Sequence, residues 1–248
     1  MKIVGLQKTT LLDYPGHVAA TIFLGGCNFR CPFCHNMNLV ETMPEEEYTE
    51  EQILKFLKKR AGVLDGVCIT GGEPSLNKEL PDFIRKIKAV EKPENKTGID
   101  NNSLLVKLDT NGTNPEMLKL LIDERLIDYV AMDIKTSPDE YGTVAGIDGE
   151  TDIIVKKVRE SINTLILAGN SGFEYEFRTT VINEYHNEEV MKETGKLIKG
   201  AKRYFLQSFK DSEYVINHSL TPPSKDLLEA YRELLLDYVE CVDIRGVD

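Results

Sequence analysis

Three cysteines lie close together in the segment Cys27-Asn28-Phe29-Arg30-Cys31-Pro32-Phe33-Cys34. Cysteine thiolate is a soft ligand that suits zinc and iron–sulfur clusters, so this spacing indicates a metal centre. A closed tetrahedral site would require a fourth ligand nearby, but Cys68 and Cys241 stand far along the chain. The three cysteines therefore predict an iron–sulfur cluster with three protein ligands and one open metal position, where chemistry can take place.

One alternative for the same segment is a zinc-stabilised interaction module with His35 as the fourth ligand. Cys34 and His35 are adjacent, which makes it difficult for both side chains to reach one tetrahedral ion. A disulfide-bonded scaffold is a further alternative. Five cysteines without an N-terminal secretory signal instead fit a reducing environment, so the expected location is cytoplasmic.

Charged side chains on predicted strands form a second group of residues that could do chemistry. Successive strand residues face opposite sides, and in three neighbouring strands one face is apolar while the other carries charges of both signs. Parallel α/β folds place their sites near the carboxyl ends of the strands, where a zwitterionic ligand would satisfy these charges. Internal salt bridging among Asp109, Asp133, Lys135 and Arg178 is the alternative. The charged residues are Lys107, Asp109, Asp133, Lys135, Glu174, Glu176 and Arg178.

The elements that would position these residues alternate between short β-like runs and helical patterns. This alternation predicts a parallel sheet covered by helices. The last helix is expected over residues 225–238, with a buried stripe made of Leu227, Tyr231, Leu234 and Tyr238. The six candidate strands span residues 19–24, 66–70, 103–109, 128–135, 173–181 and 203–209.

Composition limits the remaining choices. The 248 residues carry a formal net charge of −11 without a Lys/Arg-rich tract, which argues against a nucleic-acid partner. No apolar run approaches the roughly 20 residues needed to span a bilayer, so no membrane association is expected. No Gly/Ser/Pro-rich linker divides the chain, and we expect a single domain over residues 1–248, with residues 91–102 as a solvated loop. His17, His186 and His218 are expected to be solvated, because they lie among polar or turn residues.

The cysteine spacing, with an aromatic residue before the last cysteine, resembles the signature of the radical S-adenosylmethionine (SAM) enzymes. The segments Gly71-Gly72-Glu73-Pro74, Leu108-Asp109-Thr110-Asn111-Gly112, Met132-Asp133-Ile134-Lys135 and Thr10-Leu11-Leu12-Asp13-Tyr14-Pro15-Gly16 resemble the glycyl-radical-enzyme activases. Among these, the nearest resemblance is to the anaerobic ribonucleoside-triphosphate reductase activating protein family, over nearly the whole chain. The resemblance implies an α/β fold, a partial (β/α)6 barrel of the radical SAM type with a C-terminal helix.

The resemblance also implies how the cluster and the cofactor would be held. Cys27, Cys31 and Cys34 would bind one 4Fe-4S cluster, whose open iron chelates SAM. Phe33, within the same loop, would be a cofactor contact. The segment Gly71-Gly72-Glu73 would bind the amino group of SAM, and its two glycines lack a Cβ, which lets the backbone approach a ligand closely.

Further cofactor contacts are implied on the later strands. Asp109 would contact the methionine end of SAM and Lys135 its carboxylate, while Arg178 could reach the carboxylate or the ribose. Asp133, together with Asp109 and Thr110, would form a monovalent-cation site. Phe209 would either cover the adenine or pack as a core aromatic residue.

The implied function is an activase that reductively cleaves SAM to a 5′-deoxyadenosyl radical and installs a glycyl radical on a partner enzyme. Anaerobic ribonucleotide reductase is the implied partner, and another glycyl-radical enzyme is the alternative. An external protein such as flavodoxin or ferredoxin would deliver the electron directly, because no additional Cys-x2-Cys pair indicates a second cluster. The alternative enzyme is a 7-carboxy-7-deazaguanine synthase, which is similar in Gly-Gly-Glu-Pro and Thr-Asn-Gly, although Cys34-His35-Asn36 favours an activase.

Overall fold

The computed structural model describes residues 1–41, 48–93 and 103–247, so residues 94–102 of the predicted loop lie outside the described residues. Within these ranges strands alternate with helices. The strands are β1 (Ile3–Thr10), β2 (Ala19–Leu24), β3 (Gly66–Gly71), β4 (Leu105–Thr110), β5 (Tyr129–Asp133), β6 (Glu174–Val181), β7 (Arg203–Ser208) and β8 (Cys241–Arg245). The α-helices are α1 (Asn38–Glu41), α2 (Glu50–Arg60), α3 (Leu80–Lys88), α4 (Pro115–Asp123), α5 (Tyr141–Ala145), α6 (Thr151–Asn170), α7 (Glu188–Leu197) and α8 (Lys225–Leu235).

The strands follow one another in the sheet in the order β1 to β8. β1 pairs antiparallel with β2, whereas β2, β3 and β4 are parallel to one another, as are β6, β7 and β8. Parallel strands joined by helices confirm the predicted α/β class. All six predicted strands are present, with ends that differ from the prediction by no more than two residues.

β1 and β8, the two strands at the ends of the sheet order, were not predicted from the sequence. Both depart from the apolar runs used to recognise the inner strands. β1 has an exposed stretch at Gln7, Lys8 and Thr9, and β8 alternates apolar residues with charged ones. Edge strands commonly carry charged and polar residues, because one side of the strand is not covered by a neighbour.

The chain forms two compact units. The first contains residues 1–27, 38–110 and 116–130. Its core includes the completely buried side chains of Ile22, Leu24, Val67, Ile69 and Leu108 from β2, β3 and β4. These strands therefore form the rigid base from which the loops after β2 and β3 emerge.

The second unit contains residues 28–37, 111–115 and 131–248. Its buried aromatic residues include Tyr141, Phe177 and Tyr204. Both units draw on separate stretches of the chain, so neither corresponds to one continuous segment, and a single domain over residues 1–248 stays a prediction.

The last helix corrects one detail of the sequence analysis. α8 ends at Leu235, so Tyr238 lies beyond it, and its buried residues are Leu228, Tyr231 and Leu235. The predicted stripe began one residue too early, at Leu227, because the run of apolar residues there fits two adjacent helical faces almost equally well. None of the helices in the described ranges is long and apolar enough to cross a membrane.

Candidate functional site

The cysteine loop of the second unit is held by main-chain hydrogen bonds. Cys34 N donates to Cys31 O at 3.0 Å, which closes a turn that carries both thiols. Arg30 N donates to Ala145 O at 2.9 Å, and the Cys31 thiol lies 3.7 Å from the same carbonyl oxygen. Cys31 is buried and Cys34 half-buried, while Arg30 is exposed. The loop is thus fixed against the end of α5 and still borders solvent.

A side-chain network holds the beginning of the same loop. Asn28 Nδ2 donates to Thr113 Oγ1 at 2.9 Å, and Asn111 Nδ2 donates to Asn28 Oδ1 at 2.9 Å. Thr113 N and Oγ1 both donate to Asn111 Oδ1, at 3.0 and 2.7 Å. Asn111 and Thr113 are buried, so the loop after β4 fixes the position of Asn28 between the first two cysteines.

The protonation of Cys34 depends on its burial. Burial raises the pKa of the Cys34 thiol, an effect opposed by a main-chain hydrogen bond from Asn36 and by the charge of Lys135. The thiol is therefore protonated at neutral pH, and a metal that binds sulfur must displace this proton. All five cysteines lie within the described ranges and carry no disulfide bond.

Cys27, the first cysteine of the segment, belongs to the first unit and follows β2. The residue before it, Gly26, donates its N–H to Leu39 O at 3.0 Å and accepts a hydrogen bond from Glu73 N at 2.8 Å. Gly72 N donates to Leu24 O at 2.9 Å. The end of β3 is therefore joined to the end of β2 immediately before Cys27.

The two glycines at the end of β3, Gly71 and Gly72, are required by this close backbone contact. A Cβ at Gly71 would lie 2.2 Å from Leu24 O, and a Cβ at Gly72 would lie 2.0 Å from Gly26 O. Gly71 also has a φ of 122°, a backbone conformation that residues with a side chain rarely adopt. Packing between neighbouring loops thus explains these glycines independently of any ligand contact.

Glu73 is buried and its carboxylate already has several partners inside the first unit. Glu73 Oε1 accepts hydrogen bonds from Ser75 N at 3.0 Å, from the Ser75 hydroxyl, and from Thr110 Oγ1 at 2.7 Å. It caps the short 3-10 helix Pro74–Leu76. The side chain therefore holds the loop in shape, and a contact of Glu73 with the SAM amino group stays a prediction.

Asp109 lies at the end of β4 and forms an ion pair with Lys107, whose side chain is 2% exposed. Lys107 Nζ also lies 3.7 Å from the Cys68 thiol. The sequence analysis correctly placed Lys107 and Asp109 on the same face of the strand. The ion pair between Lys107 and Asp109 was not predicted, because both charges were expected to face a bound ligand.

Asp133, Lys135 and Arg178, which we call the ion triad, are brought together in the second unit. Lys135 Nζ lies 3.0 Å from Asp133 Oδ2, and Arg178 Nε lies 2.9 Å from Asp133 Oδ1. Burial opposes ionisation of Asp133, but Arg178 and Lys135 outweigh it and lower its pKa to about 2. Burial also opposes the charge of Lys135, yet Asp133 raises its pKa above the ordinary value. All three groups are thus charged at neutral pH.

Two phenylalanines from the predicted contacts are also in the second unit. Phe33 is buried, and Lys135 Nζ lies 6.0 Å from the centre of its ring, at the outer limit of a cation–π contact. Phe209 is 1% exposed, with its ring centre 6.0 Å from that of His35. Phe209 therefore packs as a core aromatic residue next to the cysteine loop, and a contact with adenine stays a prediction.

His186 contradicts the expectation that it is solvated, because it is 2% exposed. Its Nε2 lies 3.0 Å from Lys135 O, and its Nδ1 lies 3.1 Å from Ile182 N. The polar residues around His186 in the sequence suggested a surface turn. The fold instead packs that turn against the end of β5, a long-range contact for which the local sequence contains no signal.

Comparisons with known proteins identify the family. The model of the radical SAM superfamily matches residues 21–198 of the chain. A Methanocaldococcus jannaschii protein, provisionally named as a glycyl-radical enzyme activating enzyme, is 31% identical over 99% of this chain and 96% of its own length. The chain belongs to the radical SAM superfamily.

Two further proteins are similar to this radical SAM enzyme. The pyruvate formate-lyase-activating enzyme of Clostridium pasteurianum is 26% identical over the full length of the chain and 92% of its own length. The crystal structure of Streptococcus suis SuiB bound to S-adenosylmethionine covers 91% of this chain with a TM-score of 0.63 at 12% identity, and this chain spans about half of SuiB, 52%. The structural similarity supports the predicted fold, a partial barrel of the radical SAM type.

The superfamily implies a 4Fe-4S cluster and SAM as cofactors, and the donor atoms of this radical SAM protein fit both. In the described residues no three His, Cys, Asp or Glu side chains are arranged to hold one metal ion. A 4Fe-4S cluster makes a different demand, since each of its cysteines binds a different iron atom. The reduced Cys27, Cys31 and Cys34 supply three such thiols.

A buried hydroxyl group without a hydrogen-bond partner among the described residues lies shortly after the end of β5. Thr136 is completely buried, and its Oγ1 has no hydrogen-bond partner within the described part of the chain. A buried hydroxyl without a partner costs about 1–3 kcal/mol, so such atoms are uncommon unless a ligand or water satisfies them. Thr136 directly follows Lys135 in the sequence. It was not predicted as a site residue, because a single threonine belongs to no recognisable motif.

Proposed function

We propose that this radical SAM enzyme is a glycyl-radical-enzyme activase. The observation that carries the proposal is its similarity, over nearly its whole length, to two proteins named as activating enzymes, at 31% and 26% identity. Bound SAM would supply a 5′-deoxyadenosyl radical after one-electron reduction, and this radical would remove a hydrogen atom from a backbone glycine of the partner enzyme. Methionine and 5′-deoxyadenosine would be the products.

The residues of this chain would bind and orient the cofactors. Cys27, Cys31 and Cys34 would hold the cluster. In the ion triad two cations share one carboxylate, so the triad keeps a net positive charge that would attract the carboxylate of SAM. Lys135, 17% exposed, would make this contact, while Asp133 holds its ammonium group in place.

The remaining assigned residues keep the roles that the family resemblance implies. Gly71, Gly72 and Glu73 would form the turn next to the amino group of SAM, with Asp109 at the methionine end. The monovalent-cation site implied at Asp109, Thr110 and Asp133 stays a prediction, since Asp109 is paired with Lys107 and Asp133 with Lys135 and Arg178.

The proposed partner is anaerobic ribonucleoside-triphosphate reductase, because the Asp-Tyr-Pro-Gly opening and the cysteine segment resemble the activating protein family of that enzyme. A flavodoxin or a ferredoxin in the cytoplasm would supply the electron. The exposed positions of Asn28 and Arg30 in the cysteine loop support electron transfer from an external protein.

The decisive experiment incubates the reconstituted protein anaerobically with SAM, a reductant and each of several candidate glycyl-radical enzymes, including anaerobic ribonucleotide reductase and pyruvate formate-lyase. We expect a glycyl-radical doublet in the electron paramagnetic resonance spectrum for the reductase only. The Cys31→Ala variant is the control and should give neither the doublet nor 5′-deoxyadenosine. A doublet with a different enzyme would keep the activase and change the partner.

Formation of the deazaguanine acid from a pterin substrate with magnesium would instead establish the 7-carboxy-7-deazaguanine synthase. The same preparations can be tested for this product. We expect none, because the Cys34-His35-Asn36 segment resembles the activases.

A further inference from the structure

His186 lies in the segment between β6 and α7 and is buried in the second unit. Its ring lies between two main-chain segments that are distant in sequence. On one side Nδ1 is 3.1 Å from Ile182 N and 3.2 Å from Ile182 O, and on the other Nε2 is 3.0 Å from Lys135 O. The main-chain carbonyl of His186 accepts a hydrogen bond from the Tyr231 hydroxyl of α8 at 2.8 Å, which fixes the histidine itself.

The partners of His186 determine its tautomer. Nε2 faces only the Lys135 carbonyl oxygen, whereas Nδ1 also faces the Ile182 N–H, so we assign the single proton of the neutral ring to Nε2, which donates it to Lys135 O. Nδ1 of the neutral ring then accepts from Ile182 N, and both ring nitrogens are satisfied. Burial lowers the pKa of His186, although its hydrogen bonds to Lys135 and Ile182 partly oppose this effect, so the ring is neutral at pH 7.

The main chain of Lys135 is held from both sides. Lys135 N lies 3.4 Å from the buried Tyr141 hydroxyl, and Lys135 O accepts from His186. The side chain is held by Asp133. The position of its ammonium group therefore depends on where His186 places the carbonyl at the end of β5, immediately before the buried Thr136.

We propose that His186 is a positioning residue for SAM binding: its Nε2–H fixes the main chain of Lys135 so that the lysine ammonium meets the carboxylate of SAM. This inference rests on the proposed contact between Lys135 and SAM. His186 is buried with both ring nitrogens directed at main-chain groups, so it would act through Lys135 rather than by a contact of its own with SAM.

Two amide variants separate the two hydrogen bonds of the ring. In His186→Gln the side-chain amide reaches the position of Nε2 and can still donate to Lys135 O, but the contact with Ile182 N is lost. In His186→Asn the shorter amide reaches the position of Nδ1, which retains the Ile182 contact and loses the Lys135 contact. Both variants bury one amide of similar chemistry, so a general structural role would affect them alike.

The test measures the dissociation constant of SAM for the anaerobically reconstituted holoenzyme, with iron content and the unfolding temperature recorded for each variant. We expect His186→Asn to weaken SAM binding about tenfold, as for loss of one supporting hydrogen bond, and His186→Gln to stay within about twofold of the parent protein. Equal weakening by both variants, or no weakening by either, would overturn the inference. If His186→Asn does not fold, His186→Gln decides alone, because a loss near tenfold in that variant contradicts the role of the Nε2 donor.

The Lys135→Ala variant shows which proposal has failed. If Lys135→Ala leaves SAM affinity unchanged, the proposed Lys135 contact is wrong, and the positioning role of His186 is wrong with it. If Lys135→Ala weakens binding but His186→Asn does not, only the positioning role is wrong. In the double variant we expect His186→Asn to cause no further loss, because a residue that acts through Lys135 has no effect once the lysine is removed.

Discussion

At the scale of single residues, the candidate site in the second unit is dominated by paired charges. In the ion triad one carboxylate holds two cations at 2.9 and 3.0 Å; Lys135 follows the end of β5, and Arg178 lies within β6. Burying such charges costs free energy unless each has a partner. Asp133 supplies that partner, so its contribution to stability and its proposed role in ligand binding are linked.

The lowered pKa of Asp133 predicts how stability depends on pH. The folded protein holds this pKa at about 2, below the ordinary value of 3.8, so the stabilisation is present above about pH 4 and is lost as the pH falls toward 2. A third of the side chain, 32%, meets solvent, so the contribution is at most about 2 kcal/mol. We expect Asp133→Asn to lower the free energy of unfolding at pH 7, with a difference from the parent that shrinks below about pH 4.

Urea unfolding of the metal-free protein at several pH values measures this difference. Asp148→Asn, which changes an exposed carboxylate, is the matched control and should alter the free energy of unfolding little at any pH. A difference for Asp133→Asn that stays constant from pH 7 to pH 3 would show that the carboxylate is not the stabilising group.

We expect removal of the Thr136 hydroxyl to have opposite effects on the stability of the metal-free protein and on its affinity for SAM. Thr136→Val keeps the shape of the side chain and removes a buried hydroxyl that has no partner in the described part of the chain. We expect the metal-free variant to be more stable by about 1 kcal/mol, and the holoenzyme to bind SAM more weakly. Thermal unfolding and equilibrium binding measure the two effects, and a loss of stability in the metal-free variant would mean that the hydroxyl has a partner in the folded protein.

At the scale of elements, the sequence predicted the inner strands well because their apolar runs are continuous. β2 was predicted with both ends correct, and the alternation along β4 placed Lys107 and Asp109 on one face. The mixed polarity of β1 and β8 hid both strands. His186 and the partners of Glu73 could not be predicted from the sequence, since they depend on which loops meet after the strands have paired.

We expect the protein to lose iron when the contact between Gly72 and Gly26 is disturbed. In Gly72→Ala the new Cβ would lie 2.0 Å from Gly26 O, so the backbone directly before Cys27 must move. We expect about tenfold weaker retention of iron, as is typical when groups that support a metal ligand are disturbed. Iron and sulfide analysis after a chelator challenge measures this retention.

Gly172→Ala is the control for the general cost of replacing a glycine. Gly172 has a φ of 94° but open space around the position of a Cβ, so this variant should lose stability without losing iron. Equal iron retention in Gly72→Ala and Gly172→Ala would show that the contact with Gly26 does not position Cys27.

At the scale of the whole molecule, the arrangement of cysteines determines how many clusters the chain can hold. Cys68 is completely buried within β3, beside Lys107, and Cys241 lies on β8 next to Asp243. Neither thiol belongs to a second group of cysteines in the sequence. We therefore expect a single cluster, which would receive its electron from an external protein rather than through an internal chain of clusters.

Iron stoichiometry tests this conclusion. We expect about four irons and four sulfides per chain after anaerobic reconstitution, as for one 4Fe-4S cluster. Cys68→Ala should keep this content, because the thiol is enclosed by the core of the first unit, whereas Cys31→Ala should lose most of the iron. About eight irons per chain that persist in Cys68→Ala would contradict the single cluster. Such a result would require a second binding site with at most one cysteine ligand, Cys241, and the electron would then pass through the protein in two steps.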